Sequence, residues 1–196
     1  MDESSIQLIG EVQQPIQAVP GHPRLVDDEY VCNGVASIFL EVEPLGSKRQ
    51  VDITERRTRI DWAHFIRDML EERYPEAKKV VLVLDNLNTH GLASLYAAFP
   101  LETARKPAER LEIHNTPKHG SWVNIAEIEL SVLKRQCLSG RIPEISKMRS
   151  EVKAWNTDRN SRQTKVDWHF ATEDARIKLK HLYQKLYSVL AYSSTK

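Results

Sequence analysis

Three acids in this chain of 196 residues stand where a carboxylate could do chemistry. Asp85 directly follows "VVLVL", residues 80–84, a run of aliphatic and β-branched side chains that reads as a buried strand. In open α/β sheets ligands gather at the carboxyl ends of strands, which is where Asp85 falls. Asp2 stands at the head of the first strand-like stretch. The third acid lies on the helical stretch "WVNIAEIELSVLKRQCL". There Asn124, Glu127, Ser131 and Lys134 share one polar stripe, and Glu129 falls inside the apolar arc of Ile125, Ile128, Val132 and Leu133. Periodicity leaves both Glu127 and Glu129 open. Carboxylates gathered in one place repel and raise one another's pKa unless cations neutralise them. Mg²⁺ prefers oxygen ligands and takes one or two carboxylates plus phosphate oxygens. Two such ions can activate a water or a 3′-hydroxyl for in-line phosphoryl transfer. Taken singly, each acid has a plainer reading: Asp85 as a turn or cap residue, Glu127 as part of a solvated helix face, Asp2 as part of a loose chain start.

The elements that must position these acids follow from the patterning. Strands are expected at "SIQLIGEV" (residues 5–12), across "YVCNGVASIFLEVEP" with a bulge or a hairpin turn at Asn33–Gly34, at "KRQVDITE", at Val80–Leu84 and at "LEIHNTP". Ile60, Ala63, Ile66, Met69 and Leu70 recur at helical spacing and end before Pro75. Further helices are expected around residues 91–98, over the stretch carrying Glu127, from Pro143 to about Asn156, and from Thr172 to Leu190 beyond the polar link "TDRNSRQTK". Consecutive strands followed by alternating strand–helix units imply an α/β fold, a mixed sheet flanked by helices in ribonuclease-H-like order with a helical C-terminal extension. The expected division is a catalytic core over residues 1–140 and a helical extension of the same domain over 141–196.

Bulk properties narrow the class. A net charge of +1 makes no case for a polyanion partner of the whole chain, so a nucleic-acid surface has to come from local clusters. Cys32 and Cys137 lack disulfide-scaffold or metal-site spacing and read as free thiols. No apolar run approaches the ~18 residues of a membrane span, and no signal-peptide pattern opens the chain, so a cytoplasmic protein without membrane or small-molecule partners is expected.

"MDESSIQLIGEV", "PGHPRLVDDEYVCNG", "VLDNLNTH", "IHNTPKHGSWVNIAEIELSVLKRQCL" and "HFATEDARIKL", in that order, resemble the DDE transposases of the mariner superfamily, and within it the bacterial insertion sequences of the six-thirty type. The resemblance implies that Asp2, Asp85 and Glu127 form a metal-binding catalytic triad holding Mg²⁺, with Mn²⁺ as substitute and two ions in the site. Glu127 is preferred to Glu129 because "NIAE" follows Pro117 as the family's third acid follows its upstream proline. The longer interval between Asp85 and Glu127 is assigned to "FPLETARKPAERLE". The likeness also implies DNA, as element ends and target, for a partner, with a second copy of the chain as another.

Asn86, His90, Lys118 and His119 are the DNA-contact candidates, Asn86 also as a holder of a metal-bound water. Arg56, Arg57, Arg59, Lys118, Lys134 and Arg135 are candidates for the phosphate backbone. Trp122 reads as a packing residue. Family members carry an N-terminal helix-turn-helix region ahead of the first acid, so an N-terminally truncated core is expected. The rival from another class is an inactive fragment acting only as a folded interaction or regulatory protein. A generic nuclease on RNA–DNA hybrids would need a fourth acid, for which Asp167 or Asp174 would serve.

Overall fold

Strand β2 (Tyr30–Glu43) is the axis of the molecule: residues 36–41 are buried whichever way their side chains point. Ala36, Ile38 and Leu40 face one core and Phe39 faces the other, which is the signature of a central strand covered on both sides. The computed structural model describes residues 1–85, 87, 90–116, 124–163, 173, 174 and 177. The chain divides into two compact units, Met1–Val166 and Asp167–Lys196. Most of the expected helix Thr172–Leu190, and with it Asp167, lies outside the described residues.

On either side of β2, β1 (Asp2–Glu11) and β3 (Lys48–Thr54) pair antiparallel. Between Cys32 and Val35 two residues of β2 oppose Leu8 alone, so Asn33–Gly34 forms a bulge and not a hairpin turn. Gly34 has φ +108°, a conformation that side chains disfavour, which explains glycine there. A second, parallel pair joins β4 (Val80–Leu84) to β5 (Leu111–Asn115). The amino nitrogen of Met1 donates to the Val83 carbonyl at 2.8 Å, so the head of β1 lies against the end of β4.

Helices cover the two faces. Helix α1 (Arg59–Asp68) runs on as a π-helical turn, Met69–Arg73, whose carbonyl end is capped by Arg110: its guanidinium donates to Leu70 O at 2.9 Å and Tyr74 O at 2.5 Å. With α2 (Leu92–Ala98) and α3 (Leu101–Arg110), α1 packs over Phe39, Leu82, Leu84 and Leu111. Helix α3 lies within "FPLETARKPAERLE", so the extra length between the acids is a helix. On the opposite face α4 (Ile125–Gln136) and α5 (Ile145–Ser161) pack Leu130, Leu133, Met148 and Val152 against Ile38 and Leu40. The fold is mixed α/β with a ribonuclease-H-like arrangement.

Helix α5 outruns its expected end at Asn156 by five residues. The polar residues that read as a linker have buried work to do. Asn160 brackets Arg49 on β3, accepting from its N–H at 3.0 Å and donating to its C=O at 2.8 Å, and Asn156 donates to Gln50 at 3.1 Å. An edge strand's unpaired backbone groups are thereby satisfied by a helix, which also blunts the edge.

Candidate active site

Two hydrogen bonds on Met1 assemble the site. Its nitrogen reaches Val83, the last residue but one of β4, and its carbonyl accepts from Asn124 Nδ2 at 3.0 Å. Residue 2 is thereby set beside the exit of β4, where Asp85 stands, and beside the start of α4, where Glu127 occupies the first turn. Asn124 is buried and serves twice, because its Oδ1 also caps the helix by accepting from Ala126 N at 3.2 Å. Asn124→Ala is expected to cost about 1–2 kcal/mol, the sum of a lost cap and an orphaned buried carbonyl. Urea denaturation would measure it, and an unchanged midpoint would contradict this double role.

Asp2 is buried, and its carboxyl is pushed up to about 6. Burial is the main cause. The Glu3 N–H, donating to Asp2 Oδ1 at 2.8 Å, pulls it back, while the charges of Glu127 and then Asp85 push it further up. Asp2 therefore feels the charges of both other acids. Asp2 and Glu127 line one groove of about 410 Å³ together with Ser4, Ser131, Lys134 and Arg135. Lys134 Nζ crosses this groove to donate to Ser4 Oγ at 2.6 Å. Asp85 is not in the groove's lining; its Oδ1 lies 3.2 Å from His90 Nδ1. Among the described residues no three His, Cys, Asp or Glu side chains form a cluster that could hold an ion as it stands.

Glu129 has a different environment from Glu127, two residues along the same helix. It is buried between Arg49 of β3 at 3.1 Å and Arg159 of α5 at 2.9 Å, on the face away from the groove. It is a structural ion-pair centre, consistent with its place in the apolar arc.

His90 also differs from an exposed DNA-contact residue. Its side chain is only 2% exposed, and besides Asp85 it meets Glu3, with Nε2 2.8 Å from Oε2. Arg57 sits 3.2 Å from the other Glu3 oxygen, so that expected phosphate contact is engaged with an acid, though still half-exposed. Glu3 was not among the sequence candidates. Its signal is weak but present: an acid directly after Asp2, in a strand, pointing to the opposite face. Arg56, Arg59, Lys134 and Arg135 are exposed. Asn86, Lys118, His119 and Trp122 lie outside the described residues.

The model of the DDE superfamily endonuclease family matches residues 1–149, a stretch that contains Asp2, Asp85 and Glu127. The chain belongs to the DDE superfamily endonucleases. No curated protein and no solved structure matches it. Membership makes the protein a member of a nuclease and transposase class that acts on DNA with divalent metals. Asp2, Asp85 and Glu127 are hard oxygen donors of the kind that such a metal takes. Among its described residues no helix is long and apolar enough to cross a membrane.

Proposed function

We propose that this chain is the catalytic domain of a DNA transposase of the mariner superfamily, of the bacterial insertion-sequence branch of six-thirty type. It would hydrolyse a phosphodiester at the element ends and join the freed 3′-end to target DNA. The observation that carries this reading is the pair of bonds from Met1 to Val83 and Asn124, which sets Asp2 between the strand end bearing Asp85 and the helix turn bearing Glu127. Asp2, Asp85 and Glu127 would hold Mg²⁺, with Mn²⁺ able to substitute and two ions in the site. When bound, the metal supplies polarisation of the phosphate and a water of lowered pKa.

The chain's own residues do the rest. Lys134 and Arg135 on the groove wall place positive charge where a phosphate backbone would run, beside the acids. Ser4 and Ser131 offer hydroxyls for the same backbone. Burial of Asp2 limits water at the head of β1. No side chain is required as a covalent nucleophile, since water or a 3′-hydroxyl attacks directly. Residues 1–140 would form the catalytic core and 141–196 its helical extension.

The test is a Mn²⁺ titration of the full chain followed by cleavage of an element-end DNA duplex. Asp85→Asn should fold as the wild type does and lose Mn²⁺ affinity and cleavage by more than about 100-fold, because even outer partners of a metal site cost 10–100-fold when removed. Equal Mn²⁺ binding by wild type and Asp85→Asn would end this reading.

A second reading, a folded interaction protein without activity, has one observation in its favour. The arm between β1 and β2 exposes Ile16, Val19 and Leu25 around the bridges Ile16–Leu25 and Val19–His22, and Tyr30 opens β2 beside them, each more than half accessible. Such a surface suits a second copy of the chain. Under that reading the protein self-associates through the arm but shows no Mn²⁺-dependent cleavage.

A further inference from the structure

We propose that Glu3 and His90 are a positioning pair that fixes the carboxylate of Asp85, with Trp62 as the shelf beneath the imidazole. This rests on Asp85 being a metal ligand, as proposed above. A continuous polar chain runs from Arg57 through Glu3 and His90 to Asp85, with steps of 3.2, 2.8 and 3.2 Å. Its middle is sealed: the side chains of Glu3 and His90 are each 2% exposed, whereas Asp85 at its end is 28% exposed.

The imidazole cannot swing away from this line. Trp62, fully buried on α1, lies against it with ring centroids 5.7 Å apart and planes 20° apart. The start of α1 is itself fixed by a capping box, Thr58 accepting from Asp61 N and Asp61 accepting from Thr58 N. His90 N also donates to Leu87 O at 3.0 Å.

Burying an acid and an imidazole costs free energy unless both are bonded, and an apolar pair would fill the same space without that cost. The chain reaches solvent at both ends, at Arg57 and at Asp85, and of these only Asp85 stands at the proposed metal site. Holding Oδ1 of Asp85 restricts rotation of the carboxylate and so gives Oδ2 a set direction. Partners behind a ligand act in this way, orienting it for the ion. Glu3 is one residue from Asp2 on the same strand, so one strand supplies an acid to each face of the site.

The two ring nitrogens can be tested separately. An asparagine at position 90 places its amide nitrogen near the position of Nδ1 and keeps the bond to Asp85. A glutamine reaches toward Glu3, as Nε2 does, and loses Asp85. Mn²⁺ binding by the full chain without DNA, read by electron paramagnetic resonance of the free ion, should weaken about 10–100-fold in His90→Gln and His90→Ala and less than about 10-fold in His90→Asn. Near-UV circular dichroism checks that each variant is folded; if His90→Ala is not, the order of Asn against Gln decides. Equal affinities of His90→Asn and His90→Gln, or wild-type affinity in His90→Gln, would overturn the positioning role. Asp85→Asn separates the two readings. If it loses Mn²⁺ while the His90 variants keep it, only the positioning pair is refuted. If it keeps Mn²⁺, the site itself is misassigned.

Discussion

Glu129→Ala is expected to lose about 3–5 kcal/mol of folding stability, while Glu127→Ala, two residues earlier on the same helix, stays within about 0.5 kcal/mol of wild type and loses Mn²⁺ binding. The contrast follows from what each side chain touches. Removing Glu129 leaves Arg49 and Arg159 facing each other across a buried site whose shared acid has gone. Breaking a buried pair by deleting one partner is costly because the remaining charge is neither solvated nor matched. Here two cations share one acid, which places the effect at the upper end of that range. Glu127 is partly accessible in the groove, and its charge raises the Asp2 carboxyl. Its loss relieves repulsion and removes no packing core. Urea denaturation of both variants, with Mn²⁺ binding measured alongside, gives a direct comparison. If Glu127→Ala proves the less stable of the two, or Glu129→Ala alone loses Mn²⁺, the third acid has been misplaced.

The Glu127–Glu129 pair also shows how far patterning reaches. Val80–Leu84 is legible as a strand ending at Asp85, but not as the buried strand its unbroken apolar run suggests: Leu82 and Leu84 are buried, whereas Val81 and Val83 are exposed. The polar stripe on α4 was legible from periodicity. What periodicity could not supply was the reason for an acid in the apolar arc, since Arg49 and Arg159 are far from Glu129 in the chain and meet it only after β3 and α5 have packed. The same limit hid the last turn of α5. "TDRNS" has the composition of a linker, and its helical state depends on Asn160 finding the backbone of Arg49 on an edge strand. Propensity is local; that bond is not.

The candidate acids divide in the same way. Asp2 and Asp85 stood out by position, yet their relation depends on the bonds from Met1 to β4 and α4, which no spacing encodes. His90 stood out as a polar residue after Asp85, but its burial against Trp62 and its bond to Glu3 arise from three separate elements meeting. An exposed histidine and a buried one have the same sequence signature at the start of a helix.

The loss of stability with rising pH that Asp2 causes should disappear when metal is added. With the Asp2 carboxyl at about 6 in the folded chain against 3.8 for the ordinary side chain, the folded state holds a proton between those values that the unfolded state has released. Stability in the presence of EDTA must then fall as pH rises from about 4 to about 6, by up to about 1.4 kcal/mol per pH unit from this group. Glu41, buried beside Arg73 and also raised, contributes in the same direction, so the difference between wild type and Asp2→Asn isolates the Asp2 share. The Met1 amine, lowered by burial from 8.0 to about 6, acts with the opposite sign and in the window above. A divalent cation binds the ionised carboxyl, so Mn²⁺ affinity should be steady above about pH 6 and fall roughly tenfold for each unit below it. Saturating Mn²⁺ adds stability as RT ln(1 + [L]/Kd), which grows through the window in which the metal-free protein is losing it. Thermal melts at pH 4.5–7 with EDTA or Mn²⁺ should therefore converge toward low pH and separate as pH rises for wild type, and run parallel for Asp2→Asn. Parallel curves for the wild type would mean that Asp2 does not meet the ion.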